Sequence, residues 1–292
     1  MIVYQEPLFR PPSEANSLIL QATLGCSYNE CTFCGMYRQK AFRVRPMEEL
    51  QQEIEWAKRR IPGIRKVFLA DGDALIAKAS FLKELCQSLQ ANFPHLRRIS
   101  TYASPQALQV RSPEEMQQLK QVGLSLYYLG IESGHDQVLQ KLQKGVDAAE
   151  MIRVAQKANQ AGIRLSVMIL LGAGNRALSQ GHALESARVV NAIQPRFVST
   201  LVMTPVENTP LWGDFEAGLV DTLSPLELAA ELRSFLAALD LKASVFRSNH
   251  ASNYLALAGS LPKDKPALLA TLDQVLKDPE NASFIPEWMR GL

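Results

Sequence analysis

Three cysteines, Cys26, Cys31 and Cys34, fall within nine residues with the spacing C-x4-C-x2-C. Thiolates are soft donors, suited to zinc or to iron–sulfur centres. A structural zinc ion takes four protein ligands. None of the four histidines (His95, His135, His182 and His250) lies near the cysteines in the chain. A cubane cluster also takes four ligands, one per iron. Three cysteines therefore leave one iron open to bind and activate a substrate, much as catalytic zinc sites keep one open position. The count favours a catalytic cluster over a structural ion. The remaining cysteine, Cys86, sits in an apolar pattern with Leu82 and Leu85 and reads as a buried small hydrophobe.

Other residues able to do chemistry follow apolar runs. Asp71, Gly72 and Asp73 come after KVFLA, Glu132 and Ser133 after LSLYYLGI, and Gly172 after IRLSVMILL. A carboxylate suits a cation, and glycine permits close backbone approach. Each also has a plainer reading: Asp71 and Asp73 as turn formers, Glu132 as a helix N-terminal charge, Lys144 as a solvated lysine. His135 and His182 read as exposed helix positions. Near the C-terminus, Arg247, Ser248, Asn249, His250 and Asn253 form a polar cluster. They read either as a substrate-binding segment, with His250 as acid, base or ligand, or as capping and turn residues.

The elements that must position these residues alternate strand and helix. Strands are expected at 17–23, 66–70, 97–102, 124–130, 163–171 and 196–203, with a further one at 243–247. Helices are expected at 46–61, 80–89, 112–122, 136–142, 148–161, 179–193, 224–239 and 263–276. Ser112-Pro113-Glu114-Glu115 and Ser224-Pro225-Leu226-Glu227 carry a serine cap, proline at the first helical position and glutamate at the third. Alternation of this kind argues for parallel β-α units in an α/β fold. Six or seven units suggest a full or partial (β/α)6-type barrel, in which the chemistry sits where strands end. Residues 1–223 read as the barrel core and residues 224–292 as a C-terminal extension that completes or covers its mouth. The loop at 204–214 reads as a lid.

Bulk properties narrow the function classes. The chain has 292 residues, 47% hydrophobic and 21% charged, the balance of a globular protein. A formal net charge of +2 gives no strong nucleic-acid signal. No apolar run reaches membrane-spanning length, and the N-terminal segment lacks the pattern of a secretory signal. With few and clustered cysteines, a reducing cytoplasm is expected.

The cysteine segment, with aromatic Phe33 just before Cys34, resembles the ligand loop of the radical S-adenosylmethionine superfamily, whose usual spacing is C-x3-C-x-aromatic-C. Here one extra residue separates Cys26 from Cys31. Asp71-Gly72-Asp73 stands where that family has a Gly-Gly-Glu motif for the methionine ammonium. Residues 129–134, LGIESG, resemble the ribose-binding strand end of the branch containing methylthiotransferases and oxygen-independent coproporphyrinogen oxidases, with Glu132 and Ser133 at that position. Lys144 falls where the branch often has a basic residue for the methionine carboxylate. Leu171 and Gly172 resemble the adenine-contact motif. The resemblance spans roughly residues 17–215. It implies one 4Fe-4S cluster, S-adenosylmethionine, reductive cleavage to a 5′-deoxyadenosyl radical, and hydrogen abstraction from a substrate. It further implies a flavodoxin or ferredoxin type electron donor. One spare cysteine cannot build a second cysteine-ligated cluster, and no RNA-binding module is visible, so a small-molecule substrate is expected. A non-catalytic haem or iron–sulfur carrier on the same scaffold, an RNA-modifying radical enzyme and a zinc module stand as alternatives.

Overall fold

The apolar runs become strands and the amphipathic runs become helices in the computed structural model, which describes residues 2–291. In chain order the first elements are β1 (Leu18–Gln21), β2 (Thr23–Leu24), β3 (Arg43–Val44), α1 (Met47–Arg60), β4 (Lys66–Ala70), α2 (Ala79–Asn92), β5 (Arg98–Ala103), α3 (Pro105–Val110), α4 (Pro113–Gln121) and β6 (Leu124–Glu132). Then come α5 (Asp136–Lys141), α6 (Ala148–Gln160), β7 (Arg164–Leu171), α7 (Asn175–Ile193), β8 (Phe197–Val202), α8 (Pro210–Glu216), α9 (Pro225–Ala238), β9 (Ser244–Ser248), β10 (Leu257–Leu261) and α10 (Lys265–Lys277). Contacts divide the chain into two compact units. The first holds residues up to Asn29, Met36–Leu129 and Val154–Leu165; the second holds Glu30–Gly35, Gly130–Arg153 and residues from Ser166 onward.

In the first unit, β1, β4, β5 and β6 pair in that order, all parallel. Val67, Phe68, Leu69 and Ala70 of β4 are all buried, as in a strand covered on both faces. The short antiparallel ribbon of β2 and β3 pairs Thr23 with Val44 and Leu24 with Arg43, which pins the two ends of the loop bearing the cysteines. In the second unit, β7, β8 and β9 are parallel and β10 runs antiparallel along β9. Both capping boxes form: Ser112 accepts from the Glu115 amide and Ser224 from the Glu227 amide, and each glutamate reaches back to the cap.

Several elements differ from the expectation. The strand expected at 17–23 divides into β1 and β2, and β3 has no expected counterpart. α3 was not anticipated, although Ser104 caps it through the Ala107 amide and Pro105 opens it. The segment expected to be a lid loop contains the start of α8, capped by Thr209 with Pro210 at its first position. β10, sequence LAGSL, carries glycine and serine in place of β-branched residues and owes its extension to pairing with β9.

Candidate active site

Within the first unit, the Asp71-Gly72-Asp73 segment after β4 grips the chain on both sides of Cys26. The Gly25 amide donates to Asp71 Oδ2 at 2.9 Å, and the Gly72 amide donates to the Gly25 carbonyl at 3.1 Å. On the other side of Cys26, Ser27 Oγ donates to Asp73 Oδ2 at 2.5 Å. Gly72 is required by close approach: a Cβ there would meet Cys26 Cβ at 2.7 Å and the Tyr37 ring at 2.8 Å. Cys26 itself is half-buried.

Both aspartates are fully buried and fully engaged. Asp71 also accepts from Gln21 Nε2 at 3.0 Å and from Lys40 Nζ at 3.1 Å. Lys40, itself buried, donates further to the carbonyls of Gln5 at 2.5 Å and Pro7 at 2.6 Å. Asp73 accepts from the Ser104 amide at 3.2 Å and the Ser104 hydroxyl at 2.7 Å. Lys40, Gln21 and Ser104 escaped sequence reasoning, since nothing local marks them as partners of residues tens of positions away. Between Cys26 and Cys31 the chain makes one unusual backbone turn. Asn29 takes a left-handed backbone, φ 50°, and its side chain donates to the Tyr37 carbonyl at 3.3 Å. Asparagine enters that region more readily than most residues.

Within the second unit, Cys31 and Cys34 are half-buried and lie on a tight turn, with the Cys34 amide 3.3 Å from the Cys31 carbonyl. Thr32 stitches this turn to its surroundings. Its amide reaches the Leu142 carbonyl at 3.0 Å and its hydroxyl the Lys141 carbonyl at 3.0 Å, while its own carbonyl accepts from Leu211 at 3.1 Å. Phe33 packs against Val138, Leu142, Leu170 and Ala173, so the aromatic residue anchors the turn in apolar surroundings.

Glu132 ends β6 with φ 65°, a backbone that a glutamate adopts only at a cost. Its carboxylate pairs with Lys144 Nζ at 2.9 Å, and both side chains are buried. Lys144 is therefore no solvated surface lysine. Burial alone would lower its pKa, but Glu132 together with Cys31 and Cys34 overrides this and raises it, so the ammonium stays charged. A cation is thus held in the electrostatic reach of two of the three thiols. Ser133 Oγ is bonded to His182 Nδ1 at 2.7 Å. His182 is fully buried, which corrects its reading as an exposed helix position; burial lowers its pKa to about 4. His135, also read as exposed, is half-buried.

After β7, the Leu171 carbonyl accepts from the Met203 amide at 2.9 Å. Gly172 turns the chain with φ +81°, where a side chain would be strained, and its amide donates to Glu231 Oε1 at 2.7 Å. In the C-terminal segment, Ser248 and Asn253 are buried and Arg247 and Asn249 exposed. Asn253 Oδ1 accepts from the Val202 amide at 2.9 Å, and its Nδ2 donates to the Thr200 carbonyl at 2.8 Å and to Ser248 Oγ at 3.1 Å. The side-chain amide thus continues the hydrogen-bond ladder of β8 beyond the end of β9. His250 is half-buried, accepts from the Ser252 amide at Nδ1 over 3.1 Å, and has its pKa lowered by burial.

The donor set suits a cluster. Cys26, Cys31 and Cys34 are each partly accessible, whereas Cys86 is buried and its thiol is pushed up to about 12. Among the described residues, no three His, Cys, Asp or Glu side chains gather closely enough to hold a single metal ion. A cubane instead spreads its thiolates over separate irons.

Residues 20–176 match the model of the radical SAM superfamily, more than half of the chain. The chain is 21% identical to an uncharacterized protein of Methanocaldococcus jannaschii, over 92% of this chain and 78% of that one. Among solved structures it resembles methylornithine synthase, with a TM-score of 0.57 and 18% identity over 92% of this chain and 74% of that one. It also resembles coproporphyrinogen III oxidase from Escherichia coli, with a TM-score of 0.58 and 16% identity over 76% of this chain and 52% of that one. These likenesses show the fold, an α/β partial barrel with parallel strands. The chain belongs to the radical SAM superfamily and is an enzyme whose cofactors are a 4Fe-4S cluster and S-adenosylmethionine.

Proposed function

We propose that Cys26, Cys31 and Cys34 ligate the single cluster and that the enzyme acts on a small molecule. The observation that carries this is the donor set itself, three partly accessible thiols in the family's ligand segment and a fourth cysteine buried with its pKa raised to about 12. When bound, the cluster and S-adenosylmethionine supply reductive carbon–sulfur cleavage and a primary radical able to abstract hydrogen. The chain's own residues bind and orient. Glu132 and Ser133 offer acceptors to the ribose hydroxyls, Leu171 and Gly172 the backbone beside adenine, and Lys144 a cation for the methionine carboxylate. Phe33 packs the ligand turn. Asp71, Gly72 and Asp73 hold the Cys26 side of the loop and border the methionine ammonium.

Residues 224–292 form an extension to the 1–223 core, and Arg247, Ser248, Asn249, His250 and Asn253 are its candidate substrate segment. A flavodoxin or ferredoxin type donor delivers the electron, in a reducing cytoplasm that keeps the thiols available. Among the described residues, no helix is long and apolar enough to cross a membrane. Anaerobic reconstitution tests the reading. Wild-type protein should take up about four irons and, with a reductant, release 5′-deoxyadenosine from S-adenosylmethionine. Release by Cys34→Ala at the wild-type rate would refute the ligand assignment. A bound substrate touching none of the five C-terminal residues would refute that segment.

A further inference from the structure

Within the second unit, α7 and α9 enclose a buried polar cluster that no cofactor motif accounts for. Glu231 of α9 is buried and takes two hydrogen bonds: Gly172 amide to Oε1 at 2.7 Å, and Ser179 hydroxyl to Oε2 at 2.5 Å. His182, one turn beyond Ser179 on α7, places Nε2 3.7 Å from Glu231 Oε1. Its Nδ1 is 2.7 Å from Ser133 Oγ, which already accepts from the His135 amide at 3.0 Å. Nε2 faces the carboxylate across that 3.7 Å gap without hydrogen-bonding to it. Leu228, one turn before Glu231, lies under Gly172, where an added Cβ would meet its Cδ2 at 3.2 Å. One face of α9 thus holds the turn after β7 by both its amide and its α-carbon.

We infer that Glu231 is a positioning residue for S-adenosylmethionine: its carboxylate fixes the Gly172 turn in the binding conformation and, through Ser179, ties that turn to α7. The inference rests on the reading of Gly172 as the adenine contact. A glycine at φ +81° is held there by its bonds, since glycine alone populates both signs of φ. Loss of the carboxylate frees the turn, and apparent affinity falls by the fraction of molecules still in the competent conformation. Burial raises the pKa of Glu231 to about 7.

The test is S-adenosylmethionine affinity measured by calorimetry on the reconstituted, unreduced protein, with iron content and the spectrum of the cluster recorded for each variant. Glu231→Ala should weaken binding about tenfold, the loss of one charge-assisted hydrogen bond, with iron content unchanged. Glu231→Asp, which keeps the charge but draws the oxygens away from Gly172, should do the same and serves if the alanine variant does not fold. Glu231→Gln, which keeps an oxygen for the Gly172 amide, should stay within about threefold of wild type. Hydrogen exchange of the Gly172 and Ala173 amides should quicken in the alanine and aspartate variants only. Wild-type affinity in Glu231→Ala or Glu231→Asp, or a tenfold loss in Glu231→Gln, would overturn the inference. Unchanged affinity in Gly172→Ala would overturn the adenine reading beneath it, and that result is separable from the Glu231 variants.

Discussion

Replacing Lys40 by methionine should destabilise the protein by about 3–5 kcal/mol, the usual cost of removing one partner of a buried ion pair. Lys40 Nζ and Asp71 Oδ2 are 3.1 Å apart, with side chains 3% and 0% accessible. At that distance and an effective dielectric constant of 20, their attraction is about 5 kcal/mol. Methionine fills most of the same volume, so packing changes little. What changes is that Asp71 keeps only Gln21 and the Gly25 amide as donors, the Pro7 carbonyl loses its lysine donor, and the Gln5 carbonyl keeps Gln21 Nε2 alone. Urea unfolding of the metal-free protein gives the measurement. With a slope of about 3 kcal/mol per molar for a chain of this size, the midpoint should fall by about 1–1.7 M. Adding Asp71→Asn removes the stranded charge, so the double variant should recover about half of the loss, against the additive expectation for independent sites. Because Asp71 also holds the Gly25 amide, iron uptake on reconstitution should drop alongside stability. A midpoint shift below about 0.3 M, or strict additivity in the double variant, would refute the claim that this pair holds the loop.

Two further outcomes can be checked with the same method. Asn253→Ala should cost about 2–3 kcal/mol, because it strips the buried Thr200 carbonyl and part of the Val202 amide bonding; an unchanged midpoint would mean that the side chain does not support β8. The His182–Glu231 pair should show its opposed titrations once they are separated. Burial holds His182 at about 4 against 6.5, so its contribution is lost as pH falls from 6.5 toward 4; burial lifts Glu231 to about 7 against 4.5, so its contribution is lost as pH rises from 4.5 toward 7. The two slopes cancel between these limits in the wild type. Glu231→Gln should therefore lose about 2–3 kcal/mol more than wild type on going from pH 6.5 to 4.5, and equal losses would dismiss the assignment of a neutral His182.

Elements with strong local signals were legible. The run at 66–70 became β4 with the expected bounds, and both Ser-Pro-x-Glu signatures became capping boxes. These depend on neighbours in the chain, which is what a sequence displays. α8 was hidden because its start falls in the segment read as a lid loop, although Thr209 is its cap. β10 was hidden because its extension comes from a partner strand and not from its own residues.

The same distinction separates the legible from the illegible half of the site. Cys26, Cys31 and Cys34 announce themselves because three cysteines lie within nine residues of the chain. Asp71 and Gly172 were visible as residues after strands, but the distant side chains bonded to them were not. Lys40 lies 31 positions from Asp71, and Glu231 lies 59 from Gly172. A lone lysine or a helical glutamate has no signature, since most are solvated. Burial converts them into determinants: once water is excluded, a carboxylate needs its donors, and each donor then fixes a backbone segment. His182 was misread for the same reason. Its polarity suggested solvent, whereas Ser133 and Glu231 supply the polar surroundings that permit its burial. The cysteine-bearing loop and the strand ends are therefore held by ordinary side chains, and their placement follows from the cost of leaving a buried charge without a partner.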